Sequence, residues 1–92
     1  MSANPVIDNA AQSRFELLEN GQTAFADYSR RNGALVIPHV ESPVALRGHG
    51  TAGRLMEGIV AHARAEGLKI VPICSYAAAW LQRRPEHKDL LA

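Results

Sequence analysis

One cysteine, Cys74, stands in 92 residues, so the chain has no intramolecular disulfide to brace its fold. A lone thiol fits a reducing compartment, and the cytoplasm is the expected location. No apolar stretch is long enough to span a bilayer, and "MSANPVIDNAAQ" lacks the basic start and apolar run of a signal peptide. Charge of one sign is also missing. Ten basic and nine acidic residues leave a formal net charge of +1, so no broad field draws the molecule to nucleic acid or an anionic membrane, and any anion must be held locally. The four histidines, at 39, 49, 62 and 87, have neither HExxH spacing nor cysteine partners, so no metal is expected. What is present is a chain nearly half apolar with mixed charges, of a length suited to one domain over residues 1–92.

Two Asn-Gly pairs, Asn20-Gly21 and Asn32-Gly33, suit tight hairpin turns and divide the first half into strands. "RFELLE" sets Phe15 and Leu17 on one face. "QTAFADYSRR" sets Ala24, Ala26 and Tyr28 opposite Phe25 and Asp27, and "ALVIPHVE" sets Leu35, Ile37, His39 and Glu41 opposite Ala34, Val36, Pro38 and Val40. Pro38 has no amide proton, which implies an edge, a bulge or a place where pairing stops, so the third strand should be irregular there and diverge from residues 69–73. From Ala52 the period changes to three-four, with Leu55, Met56, Ile59, Val60 and Ala63 on one side of an amphipathic helix that Gly67 stops. "LKIVPI" then reads as a buried strand, and residues 75–84 as a second helix with Ser75 as N-cap and Pro85 as stop. The expected fold is α/β (α+β): an antiparallel three-strand meander, then helix, strand, helix.

Gly48, Gly50 and Gly53 spell GxGxxG ahead of the first helix. A dinucleotide-binding Rossmann unit does not follow, because hairpin strands precede the loop and the next strand ends "PICS" without a carboxylate for a ribose. A Walker loop fails too, since Arg-Leu follows Gly53 in place of Lys-Ser or Lys-Thr. Two readings stay open: glycines that only permit a tight turn, or backbone amides from Arg47 through Ala52 that face a phosphate at the positive end of the helix dipole.

The run Arg47-Gly48-His49-Gly50-Thr51-Ala52 resembles the R/Q-x-x-G-x-G/A signature of the GNAT acetyltransferase superfamily, and the element order agrees. "HVE", "RGHGTAGRL", "GLKIVPICSY" and "RRPEHKDL" resemble a small stand-alone GNAT-like family over about residues 5–91. The resemblance implies an abbreviated GNAT-like fold that binds the pyrophosphate of acetyl-coenzyme A with Arg47, Gly48, His49, Gly50, Thr51 and Ala52. The chain lacks room for the two helices and the last two strands of full-size relatives, where much acceptor recognition lies. Val40 replaces a frequent threonine, and Trp80 a frequent tyrosine.

Acetyl transfer needs a neutral amine, a polarised carbonyl and a route for protonating the thiolate. Glu41, which the resemblance puts beside the thioester, is a candidate base or an exposed strand-end carboxylate. His39 is a base by intrinsic pKa or a packed histidine. Cys74 is a nucleophile favoured by a helix N-terminus or a core-filling thiol. Tyr76 is a phenol donor or core filler, and Arg83 and Arg84 meet phosphates or favour the helix C-terminus. The resulting expectation is an N-acetyltransferase acting from acetyl-CoA on a small-molecule or protein amine. The competing ones are a coenzyme A-binding regulatory module with little catalysis and an interaction domain without cofactor. Acceptor and oligomeric state are not legible.

Overall fold

The computed structural model describes residues 5–92, so the first four residues of the segment read above for a leader lie outside the described residues. Strands β1 (Ile7–Asn9), β2 (Arg14–Glu19), β3 (Gln22–Arg31) and β4 (Ala34–Glu41) precede helix α1 (Thr51–Glu66), strand β5 (Lys69–Pro72) and helix α2 (Ser75–Gln82). One sheet runs in the order β1-β2-β3-β4-β5, antiparallel up to β4, with β5 parallel to β4. Both Asn-Gly pairs turn as their composition requires: Asn20 and Asn32 have φ of 51°, and Gly21 and Gly33 follow at 73° and 78°. No helix among the described residues is long and apolar enough to cross a membrane.

The core forms where strand and helix periodicities meet. Phe15 and Leu17 of β2, Ala24 and Ala26 of β3, and Leu35 and Ile37 of β4 join Leu55, Met56, Ile59 and Ala63 of α1 and Ala77, Trp80 and Leu81 of α2 in one buried cluster. Gly67, at φ 69°, ends α1 with its amide on the carbonyls of Ala63 and Arg64.

Three features depart from the expectations. A short first strand, β1, extends the meander to four strands; its three residues are too few for a period-two signal. Its companion Val6 crosses α1 where Gly58 leaves space, since a Cβ on Gly58 would lie 2.1 Å from Val6 Cγ2. The second helix ends at Gln82, two residues before the expected end, and residues Pro85–Leu90 form a 3-10 segment instead of a plain stop. The face assignment in β4 also needs correction. Asp27 pairs with His39 and Ser29 with Val36, so β4 carries an extra residue around Ile37–Pro38. The bulge flips the alternation: Leu35 and Ile37 are buried, whereas His39 and Glu41 are exposed on the opposite face and Val40 turns toward the core. As Pro38 predicts, β4 and β5 pair only as far as Ile37 with Pro72, and the Ile37 carbonyl then accepts the amides of both Ile73 and Cys74 at 3.0 Å.

Candidate functional site

Beyond the bulge, the end of β4 opens away from β5 toward the glycine loop. A 3-10 turn over Val44–Leu46 leads into the loop, and Gly48 and Gly50 adopt φ of 82° and 77°, a region that disfavours side chains. The helix starts without a side-chain cap, and its first intrahelical acceptor is the Gly50 carbonyl, reached by the Arg54 amide at 3.1 Å. The amides of Thr51, Ala52 and Gly53 therefore point out of the helix start without helical partners. The cradle is narrower than expected: the Arg47 amide bonds Val44 O and the His49 amide bonds Leu46 O, so these two are already used by the turn.

The Thr51 side chain, for which the sequence suggested no role of its own, turns inward. It is 1% exposed, and its hydroxyl donates to Glu19 Oε1 at 2.6 Å. Glu19, at the end of β2, takes Arg54 as well, with Nε to Oε2 at 2.7 Å and Nη2 to Oε1 at 2.8 Å, while the same Nη2 donates to the His49 carbonyl at 2.7 Å. The Arg54 guanidinium, with the Thr51 hydroxyl, holds the Glu19 carboxyl down to about 2. Sequence reading missed this clamp. Its one trace is Arg54 itself, a cation in the first helical turn, where the dipole opposes it unless an anion sits beside it.

Three adjoining hollows run along the loop. The first, about 500 Å³, is bounded by His39, Val40, Glu41, Ser42, Arg47, Ala52 and Tyr76. The second, about 260 Å³, shares Ser42, Arg47, Ala52 and Tyr76 with it and adds Leu46, Gly48, Gly50, Thr51 and Gly53. The third, about 290 Å³, shares Gly50, Gly53 and Tyr76 with the second and ends at Ala79, Trp80, Arg83 and Arg84. Together they trace a groove from the strand end, past the helix N-terminus, to the far end of α2. A separate depression at the other end of α1, lined by Arg64, Lys69 and Asp89 among others, lies away from these groups.

At one end of the groove His39 Nε2 and Glu41 Oε1 are 2.9 Å apart, both about half exposed, on the face to which the bulge turned them. Tyr76 borders all three hollows, and burial is the leading cause that pushes its phenol up from the ordinary value, with the Arg84 and Arg83 charges opposing. His49 borders none of the three and contributes its carbonyl to Arg54. Cys74, not the expected Ser75, occupies the N-cap position of α2, where it makes no side-chain capping bond and packs against the core cluster; it too borders none of the three. The structure thus gathers His39, Glu41, Arg47, Gly48, Gly50, Thr51 and Ala52 along one groove and leaves Cys74 beneath it. Among the described residues no group of three or more His, Cys, Asp or Glu is placed to hold a metal ion.

Two buried polar atoms without partners among the described residues, Ser42 Oγ and Trp80 Nε1, belong to residues that border this groove. Elongated, bordered by unengaged amides and by more arginines than carboxylates, it suits a long anionic ligand.

Comparison with known proteins agrees with this architecture. The NMR solution structure of a GCN5-like protein from Staphylococcus aureus superposes with a TM-score of 0.69 at 24% identity, over 100% of this chain and 91% of that one, which establishes a shared fold. A search of curated proteins gave no match. The family model described as GCN5-related N-acetyl-transferase matches residues 14–90, from the start of β2 to the end of the 3-10 segment. With signature loop, bulged strand and helix all inside that match, the chain belongs to the GCN5-related N-acetyltransferase family.

Proposed function

We propose that the protein transfers an acetyl group from acetyl-CoA to a primary amine of a small molecule or protein. The observation that carries this reading is the groove itself, which joins an exposed acid-base pair, His39 with Glu41, to the glycine loop at the α1 N-terminus. When bound, acetyl-CoA supplies a thioester whose acyl carbon accepts the amine nitrogen, so that a C–N bond forms, the C–S bond breaks and the thiol leaves.

The chain's own groups then have separate tasks. The amides of Thr51, Ala52 and Gly53, with the Arg47 side chain, hold phosphate oxygens at the positive end of α1. The backbone beyond Ile37, freed from β5 by the bulge, lines the slot for the ligand's arm. The His39–Glu41 pair takes the proton that the amine nitrogen must lose, directly or through water. Tyr76, a phenol that carries its proton at neutral pH and borders all three hollows, offers that proton to the departing sulfur. Cys74 fills space against the core and takes no covalent part. The protein is read as acting in the cytoplasm on a soluble acceptor.

Calorimetric titration with coenzyme A, combined with thiol release from acetyl-CoA in the presence of an amine panel, tests the reading. Saturable binding with amine-dependent thiol release is expected. Binding without turnover on any amine would make the protein a coenzyme-binding module, and absence of binding would remove the reading altogether.

A further inference from the structure

We propose that the acceptor amine approaches over the helix-free face of the sheet beside the His39–Glu41 pair, and that Asp27 there selects primary amines bearing a second cationic group. The inference rests on the acetyl-transfer reading above and deepens it by naming the acceptor class. Asp27 is its specificity-determining residue.

Strand register puts Asp27 at the acid-base pair. Asp27 stands directly across from His39 in the β3–β4 pair, and Phe25 across from Glu41. Residues opposed in this way project to the same face. The Phe25 and His39 rings, with centroids 6.1 Å apart, bear that out. The core cluster that α1 and α2 complete lies on the other face, with Ala24 and Ala26. Continued alternation from Leu35 and Ile37 would have sent His39 and Glu41 to that inner side, and the extra residue at the bulge turns them outward instead. The pair therefore stands on a boundary. Coenzyme reaches it along the groove, and a second substrate reaches it over the sheet.

Charge singles out Asp27. Of the nine acidic residues five meet an arginine, and Glu41 and Glu57 meet a histidine. Among the described residues the side chains of Asp27 and Glu86 meet neither, and of these two only Asp27 is half-buried, where an unmatched charge is less well hydrated. A cation stands next to it but is turned away. Arg14 opposes Asp27 from β2, yet its Nε donates to Glu16 Oε2 at 2.6 Å and its guanidinium carbon lies 4.6 Å from the Phe25 ring centroid. Asn9 Nδ2 donates to the same Glu16 oxygen at 3.1 Å, which fixes that carboxylate in place. Around Phe25 and Asp27, three acids (Glu16, Asp27 and Glu41) against the one Arg14 leave an excess of two negative charges, in a protein whose formal net charge is +1. The groove has the opposite balance, with Arg47, Arg83 and Arg84 and no carboxylate besides the boundary Glu41. The two approaches to the acid-base pair thus differ in sign, positive for the coenzyme and negative for the acceptor.

Spacing defines the ligand. Asp27 and Glu41 are diagonal neighbours across the strand pair, a relation that separates them by roughly 7–8 Å at the backbone. An ammonium at Asp27 and a reacting amine at Glu41 fit a short flexible chain that carries both. The group at Asp27 keeps its proton, while the reacting nitrogen gives its own to the His39–Glu41 pair as before. A distal amino group of a small diamine and a basic side chain beside a lysine in a peptide both supply the second cation.

The test measures thiol release from acetyl-CoA by the full chain with 1,5-diaminopentane and with 1-aminohexane, which match in length and differ in the second amine. The wild type should favour the diamine in kcat/KM by about fivefold or more, and added salt should shrink the preference. Asp27→Asn should bring the ratio close to one, chiefly by raising KM for the diamine, and Arg14→Gln, which removes the neighbouring cation, should enlarge it. A purely structural Asp27 would depress both amines together and leave the ratio unmoved. If Asp27→Asn does not fold, Arg14→Gln decides alone. Two lysine peptides, with arginine or alanine beside the lysine, tell a protein source of the second cation from a small one, and a preference within either pair supports the site. Equal rates within both pairs overturn the acceptor inference and leave acetyl transfer standing. No thiol release with any amine overturns both.

Discussion

Cys74 stands at the N-cap of α2 with its side chain against the core, where a thiol is a small apolar filler. Cys74→Ser should therefore keep most of its turnover and lose about 1 kcal/mol of stability from burying a hydroxyl in place of sulfur. Steady-state kinetics on the folded variant, with mass analysis of the wild-type peptide after exposure to acetyl-CoA, checks this. Loss of nearly all turnover together with an acetylated Cys74 would reverse the assignment. Gly50 belongs to the same scale. At φ 77°, with Arg54 Nη1 3.1 Å from the position of its missing Cβ, it tolerates no β-branched side chain without strain. Gly50→Val should weaken coenzyme A binding by at least about tenfold and cost about 1–3 kcal/mol of stability. Gly67→Val is the control. It has a similar φ of 69°, but no atom within 4 Å of its Cβ position, and it lies at the opposite end of α1. It should lose comparable stability and bind normally; equal loss of binding in both would trace the effect to folding.

Elements differ in how much of themselves they wrote into the sequence, and α1 shows both extremes. Its three-four spacing and terminal Gly67 are local signals, and Thr51–Glu66 forms as they require. Gly58 gives no such signal, since its reason is the chain crossing over it at Val6, some fifty residues earlier in sequence. Helix propensity alone predicts that Gly58→Ala stabilises by about 1 kcal/mol. The contact reverses the sign, because the new methyl would lie 2.4 Å from Val6 Cβ, and overpacking of this kind costs roughly 1–3 kcal/mol. A lower melting temperature is expected, partly restored by adding Val6→Ala; a rise in the single variant would mean that Val6 moves aside at little cost. The bulge in β4 follows the same logic. Pro38 announced that pairing would stop, but not that an extra residue would turn His39 and Glu41 away from the face of Leu35 and Ile37. Register belongs to the pair of strands. The glycine loop was legible because positive φ angles demand glycine, whereas its clamp was hidden because Glu19 reaches it from 32 residues away.

For the molecule as a whole, pH dependence follows from where its carboxylates are tied. Asp8, Glu16, Glu19 and Asp89 all lie below their ordinary values. Burial raises Asp8, but hydrogen bonds from Tyr28 and Arg30 outweigh it, and those bonds join β1 to β3. Arg14 and Asn9 lower Glu16, and Arg64 lowers Asp89, which ties α1 to the 3-10 segment. Glu19, drawn from 4.5 to about 2 chiefly by Arg54, joins β2 to the start of α1. A carboxylate more acidic in the folded state stabilises the fold above its unfolded value, and that contribution is lost as pH falls through the folded value. The denaturant midpoint should therefore hold steady from neutral pH to about 5 as far as these groups are concerned, and fall below that. Glu19 alone should contribute about 1–2 kcal/mol at neutral pH once solvent screening of its partly exposed partner is allowed for. Glu19→Gln should be less stable by that amount at pH 7, with a flatter pH profile between 4.5 and about 2, so that the two curves converge toward the acid end. Urea titrations of both proteins across that range measure it directly. Parallel curves would mean that Glu19 keeps an ordinary pKa and that Thr51 and Arg54 hold the loop without its charge.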